Sequence, residues 1–300
     1  MTDSFPRPSP ALTPAQRLYL DVNGYVVIPN TLSADEVGAL MDAIHHLKRE
    51  LESVPPGTFI RNACLPRNND PYLSSLSSPI EAHPAITAHC TNPRLVAMAE
   101  ELIGGEARIC EAAAVVNRRN PETFRSPPVY GFHTGIDIPF GSHIANGLYH
   151  CCFVKTLTNL TELGPDDGGT VVIAGSHKIN VPEDQLIAAA MQDPRMIHQV
   201  IAPAGSTLLF SETLLHATGQ IRSDRERTIL ICGYNARMMP AWDLSTWSPE
   251  FIERLPESHR TLFLGRTNWT RGARYRTLDQ PVDTRVYANH PWMDVAMVGG

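Results

Sequence analysis

The sequence predicts a mainly β protein, a sandwich or barrel, with helices from its N-terminal third packed against the β core. Three observations carry that expectation. From about residue 107 the chain breaks into short β-type runs, ARICEAAAVVNR, NGLYHCCFVKTLTNL, GGTVVIAG, MIHQVIAP, GSTLLFSETLLHAT and RTILICGYNAR, separated by Gly, Pro, Asn and Asp. Many short strands at fairly regular spacing are the signature of sandwiches and barrels. Before that point the apolar spacing is helical, and no internal repeat or linker divides the 300 residues, a length sufficient for one large core.

The elements follow in order. Residues 1–12, polar and proline-rich, read as a disordered leader, and residues 13–300 as one domain. Tyr25 to Ile28 is a short β run. Ser33 with Glu36 three residues later makes a capping box, and Val37, Leu40, Met41, Ile44 and Leu47 then recur at helical spacing. His45 and His46 lie beside that stripe and read as edge residues rather than ligands. Residues 55–92 are loop-rich, which inside a compact protein marks a functional or mobile stretch. A second helix, about Pro93 to Ile103, ends at Gly104 and Gly105.

Composition narrows the class of function. With 25 Lys and Arg against 31 Asp and Glu, net charge −6, no overall basic field attracts a nucleic-acid polymer or an anionic membrane. No apolar run is long enough to span a bilayer, and the N-terminus lacks the parts of a signal peptide, so a soluble cytoplasmic protein is expected. Six cysteines follow no CxxC pattern and read as reduced thiols, with Cys151 and Cys152 on opposite faces of a strand.

Three residues on the β core suggest metal chemistry. His133 follows PPVYGF at the end of an expected strand, His216 closes GSTLLFSETLLHAT, and Arg227 opens the next strand. Two imidazoles and one carboxylate on one face of Fe(II) leave positions for a bidentate cosubstrate and O2. An arginine nearby can hold the far carboxylate of such a cosubstrate through two parallel hydrogen bonds. Yet Gly135 stands two residues after His133, where the acid is expected.

With NGYVVIPNTLSADEV, GPDDGGTVVIAGSHK and the H-x10-R spacing added, the chain resembles the phytanoyl-CoA dioxygenase family of Fe(II)- and 2-oxoglutarate-dependent oxygenases, up to about residue 237. The resemblance implies a double-stranded β-helix, or jelly roll. It implies His133 and His216 as iron ligands and Arg227 as the anchor of the 2-oxoglutarate C5 carboxylate. Tyr130 and Lys155 become further candidates for cosubstrate contacts, while His177 organises the GSHK turn.

The family motif is H-x-D or H-x-E; here it is H-T-G, which looks like the non-haem iron halogenases, where Gly or Ala replaces the acid and chloride binds the iron directly. A halogenase using Fe(II), 2-oxoglutarate, O2 and chloride is therefore the leading expectation. Three alternatives stay open: a hydroxylase using Asp137 or water as third ligand, a descendant that lost iron, and a jelly-roll binding protein without chemistry. Asp137 shares side-chain parity with residue 135, though its use requires a shift of about 7 Å along an extended segment.

Substrate residues are expected among Arg61, Arg67, Arg118, Arg119 and Arg125, whose guanidinium forks suit phosphate or carboxylate, and Phe59, Phe132, Phe140 and Tyr149, which offer stacking surfaces. Together they suggest a free anionic small molecule, a nucleotide such as 2′-deoxyadenosine monophosphate, in secondary metabolism. A second basic cluster, Arg266, Arg271, Arg274 and Arg276, is expected to cover the mouth or mediate self-association.

Overall fold

The structure, a computed structural model, describes residues 10–66, 70–136, 138, 140–179, 181–239 and 247–264. Its elements are α1 (Pro14–Asn23), β1 (Tyr25–Ile28), α2 (Ala34–Glu52), β2 (Leu73–Ser77), α3 (Pro84–Cys90), α4 (Pro93–Ile103), β3 (Ala107–Asn117), β4 (Ser142–Ala145), β5 (Leu148–Cys151), β6 (Phe153–Asn159), β7 (Val171–Ile173), α5 (Glu183–Gln192), β8 (Ile197–Gln199), β9 (Thr207–Ser211), β10 (His216–Ala217), β11 (Arg227–Ala236), α6 (Pro249–Arg254) and α7 (Glu257–Arg260).

Six strands form an antiparallel sheet in the order β1-β9-β6-β11-β3-β2, and a smaller sheet runs β10-β7-β8. This is the expected mainly β, jelly-roll architecture. Side-chain alternation gives the large sheet two different faces. One carries Val154, Leu209 and Leu230 against Leu40, Ile44 and Leu47 of α2 and Leu95, Met98 and Leu102 of α4. The other carries Leu157, Phe210 and Ile229 toward Val172, Val200 and Leu214. Arg227 and Gly233 share the second face of β11 with Ile229, so the candidate site opens between the sheets.

The Ser33–Glu36 capping box and the helix ending at Gly104 form as the sequence suggests, Gly104 adopting φ +77°. Reciprocal capping of this kind stabilises a helix by about 1 kcal/mol. His45 pairs with Glu226 and His46 with Glu50, at the edge of α2. The six cysteines are free, with Cys151 buried and Cys152 half-buried. Among the described residues, no helix is long and apolar enough to cross a membrane.

Several expectations need correction. No strand forms at PPVYGF; His133 joins the fold through an isolated bridge to His216. The loop-rich stretch contains β2 and α3. The docked chain begins before residue 13, because Ala11 and Leu12 donate their amides to Glu101 Oε2 and Leu12 is buried. Residues 1–9 of the expected leader lie outside the described residues. Helix α1 was legible in principle: Thr13 caps it in a box with Gln16, Pro14 opens it, and Gly24 closes it at φ +84°.

Candidate metal centre

The geometry starts from a tight turn. β9 ends at Ser211, the Leu214 amide donates to the Ser211 carbonyl, and the chain re-emerges as β10 at His216. Against this turn the segment 133–135 runs antiparallel. His133 and His216 exchange both backbone hydrogen bonds, at 3.0 and 3.1 Å, and the Gly135 amide donates to the Glu212 carbonyl at 2.8 Å. Backbone pairing thus brings together two histidines more than eighty residues apart, with ring centroids 4.3 Å from each other.

Each imidazole is oriented by a carbonyl. His133 Nδ1 lies 3.1 Å from the Gly131 oxygen and His216 Nδ1 lies 2.8 Å from the Leu214 oxygen. A carbonyl only accepts, so each Nδ1 carries the proton and each Nε2 keeps its lone pair. Burial pushes the His216 pKa down to about 3, outweighing its carbonyl contact, so this ring is neutral as a metal ligand must be. Among the described residues, no three His, Cys, Asp or Glu side chains are set to hold a metal by themselves. The donor chemistry of the pair, two adjacent imidazoles with free Nε2 lone pairs, suits a divalent metal.

Arg227 is buried at 2 % exposure; its guanidinium donates to Thr170 Oγ1 at 3.4 Å and its Nε has no partner. Burial alone lowers its pKa, to about 10, leaving it charged at neutral pH. A buried guanidinium with an unused donor suits the carboxylate of a cosubstrate such as 2-oxoglutarate.

Beside Gly135 lies a residue that the sequence reading did not single out. A Cβ added at Gly135 would lie 1.4 Å from Glu212 Oε2, so the Glu212 carboxylate fills the space of a side chain at 135. Glu212 is fully buried, and neither of its oxygens has a hydrogen-bond partner. Its Oε1 lies 3.5 Å from Lys155 Nζ, which is 2.9 Å from Glu111 Oε1. One ammonium thus serves two carboxylates. Burial raises the Glu212 pKa to about 7, Lys155 opposing and Glu111 adding to the shift. Burial would lower the Lys155 ammonium, but Glu212 and Glu111 together hold it above its ordinary value. The only sequence signal for Glu212 was an acid four residues before a candidate histidine ligand, in SETLLH.

The other expected residues separate into groups. Tyr130 is half-buried and packs edge-on to Phe132 at 5.6 Å. Lys155 is committed to its glutamates rather than open to a cosubstrate. His177 donates from Nε2 to the Asp21 carbonyl at 3.2 Å and packs on Tyr149 at 4.6 Å, the organising role expected of it. Tyr149 is therefore a core residue, 2 % exposed. Phe59 and Phe140 are exposed.

Arg118 and Arg119 pair with Glu226 and Asp224, and the Arg125 amide and carbonyl bond to the Gln220 side chain. That anchors the segment to the strand end following His216, where Arg118, Phe124 and Thr218 line a cavity of about 310 Å³. Arg61 belongs elsewhere: it holds Glu50 and the Ala82 carbonyl and lines a cavity of about 960 Å³ with Phe251 and His259, none of whose lining residues belongs to the histidine centre. Arg67, Asp137 and the cluster Arg266, Arg271, Arg274 and Arg276 lie outside the described residues.

A jelly roll with a carbonyl-oriented histidine pair and a buried arginine defines the class of Fe(II)- and 2-oxoglutarate-dependent oxygenases. The chain belongs to the phytanoyl-CoA dioxygenase family, whose model matches residues 20–229. It is 22 % identical over 269 residues to the ectoine dioxygenase of Sphingopyxis alaskensis, covering 81 % of this chain and 83 % of that protein. It is likewise 22 % identical to the peroxisomal phytanoyl-CoA dioxygenase of Mus musculus, covering 81 % and 74 % respectively. Among solved structures it is similar to HygX from Streptomyces hygroscopicus with nickel, 2-oxoglutarate and hygromycin B bound, with TM-score 0.61 and 20 % identity over 80 % of this chain and 94 % of that one.

Proposed function

We propose that this oxygenase is a halogenase that chlorinates an unactivated C–H bond of a free anionic small molecule, a nucleotide such as 2′-deoxyadenosine monophosphate, in secondary metabolism. The observation that carries the reading is glycine at position 135, beside the histidine pair, where the family motif has an acid. In this reading His133 and His216 hold Fe(II) through Nε2, and Arg227 receives the C5 carboxylate of 2-oxoglutarate.

Iron with 2-oxoglutarate and O2 supplies an oxidant able to take a hydrogen atom from an unactivated carbon. The overall reaction consumes one chloride and one proton with the two cosubstrates. One oxygen atom enters succinate as CO2 leaves, the other leaves as water, and the carbon exchanges H for Cl. The residues of this chain supply the rest: Nδ1 carbonyl contacts fix both imidazoles, and the absence of a side chain at 135 keeps a fixed acid off the metal. Arg118, Arg119 and Arg125, next to the strand end following His216, are the phosphate candidates, since exposed ion pairs such as Arg119 with Asp224 exchange at little cost.

A second reading is favoured by one observation, the buried Glu212 carboxylate beside Gly135: a hydroxylase in which a protein carboxylate completes the metal centre. Anaerobic enzyme loaded with Fe(II), 2-oxoglutarate, chloride and candidate nucleotides, then given O2, separates the two by mass spectrometry. A product with the chlorine isotope pattern is expected; a product gaining oxygen alone, at saturating chloride, overturns halogenation.

A further inference from the structure

Gly135 and Glu212 are complementary. The residue that lacks a side chain lies against a buried carboxylate that lacks a hydrogen bond, and the two are joined by the Gly135 amide to Glu212 carbonyl bond at 2.8 Å. Glu212 Oε2 sits where the side chain of an acid at 135 would begin. Its other oxygen faces Lys155 at 3.5 Å, too long for a hydrogen bond of its own. An unpaired buried carboxylate is costly, and Lys155 is already engaged by Glu111 at 2.9 Å. The carboxylate therefore lies on the Gly135 side of the turn that carries the histidine bridge, 3.5 Å from the Lys155 ammonium and without a hydrogen bond of its own.

We propose that Glu212 is a displaceable carboxylate of this metal centre: it rotates onto the metal when no halide is present, and swings back to Lys155 when halide takes the position beside Gly135. This rests on the halogenase reading, and it gives Gly135 a second purpose. Any side chain there would collide with Glu212, so glycine admits the exchanging carboxylate as well as the halide. Lys155 is the receiving cation, already placed on β6 opposite Phe210 of β9, one residue from the turn that carries Glu212. Exchange at the metal then keeps one negative ligand in the corner at all times, so halide enters without adding net charge to a buried site.

The test follows Co(II) binding to the full-length chain with 2-oxoglutarate, by visible absorption in chloride-free buffer and then along a sodium chloride titration. Wild type should bind Co(II) tightly without chloride and shift its spectrum as chloride is added. Glu212→Gln should bind Co(II) at least tenfold more weakly without chloride, recover on chloride addition, and half-saturate at a chloride concentration at least tenfold below wild type. Lys155→Gln should move the chloride midpoint the opposite way, to higher concentration, because the displaced carboxylate loses its partner. Opposite shifts in two variants are not what loss of folding produces, and near-ultraviolet circular dichroism checks each fold.

Glu212→Gln matching wild type in both titrations overturns the inference; if wild type still responds to chloride and forms chlorinated product, the halogenase reading stands without it. A wild-type spectrum that chloride does not move, with Co(II) lost from Glu212→Gln at every chloride concentration, makes Glu212 a permanent ligand. That overturns the exchange, and with an oxygenated product it overturns halogenation too.

Discussion

Lys155 reaches Glu111 at 2.9 Å across the strand that separates them, passing over Gly233. Gly233 on β11 is in register with Glu111 of β3 on one side and Lys155 of β6 on the other, so the three form one row across the sheet. A Cβ at 233 would lie 2.5 Å from Glu111 Cγ and 2.8 Å from its Oε1. The glycine is what lets a half-buried lysine and glutamate meet.

Gly233→Ala should therefore wedge the ion pair apart. Overpacking of this kind costs about 1–3 kcal/mol, lowering Tm by roughly 2–10 °C in a protein of this size. Scanning calorimetry reads the change, and an unaltered Tm would show that Glu111 relaxes freely around the added methyl.

Arg227→Lys keeps the charge but removes the fork. The Arg227 guanidinium is buried and its Nε is unpartnered, so in the proposed role its fork receives the carboxylate through parallel hydrogen bonds that an ammonium cannot reproduce. The variant should bind 2-oxoglutarate roughly 10- to 100-fold more weakly, the worth of a charged hydrogen bond. Calorimetric titration of 2-oxoglutarate into the anaerobic Fe(II) enzyme measures it, and equal affinity in the two proteins removes Arg227 from the cosubstrate site.

His89 sets an acid limb on stability away from the metal centre. It is buried on α3, both ring nitrogens lack partners, and burial pushes its pKa down to about 4, Glu36 opposing only in part. A depressed histidine is neutral when folded, so its contribution is intact above about 6.5 and is lost as pH falls toward 4, where the unfolded chain takes up the proton first. The loss amounts to about 3 kcal/mol at the acid end. His89→Leu should thus shrink the fall in urea midpoint between pH 7.5 and 4.5; a fall as large as that of wild type would place the acid lability elsewhere.

The sequence by itself determined β1, β3 and the strands from β5 onward, the capped helix α2 and helix α4, and suggested His133, His216 and Arg227 as one candidate centre, because apolar periodicity, caps and motif spacing are local properties of the chain. Periodicity failed where elements are short or flanked by polar residues: β2 reads as LSSLS, and α1 is marked chiefly by its caps. It also suggested a strand at PPVYGF, where the backbone bonds only at the histidine bridge.

Arginines expected to share one substrate mouth part in space, Arg61 going to a different cavity from Arg118. Above all, the text of the chain shows that position 135 has no side chain, but only the tertiary structure decides what fills the space. A glycine's empty volume belongs to whichever neighbour the sheet brings against it, and the turn after β9 brings Glu212.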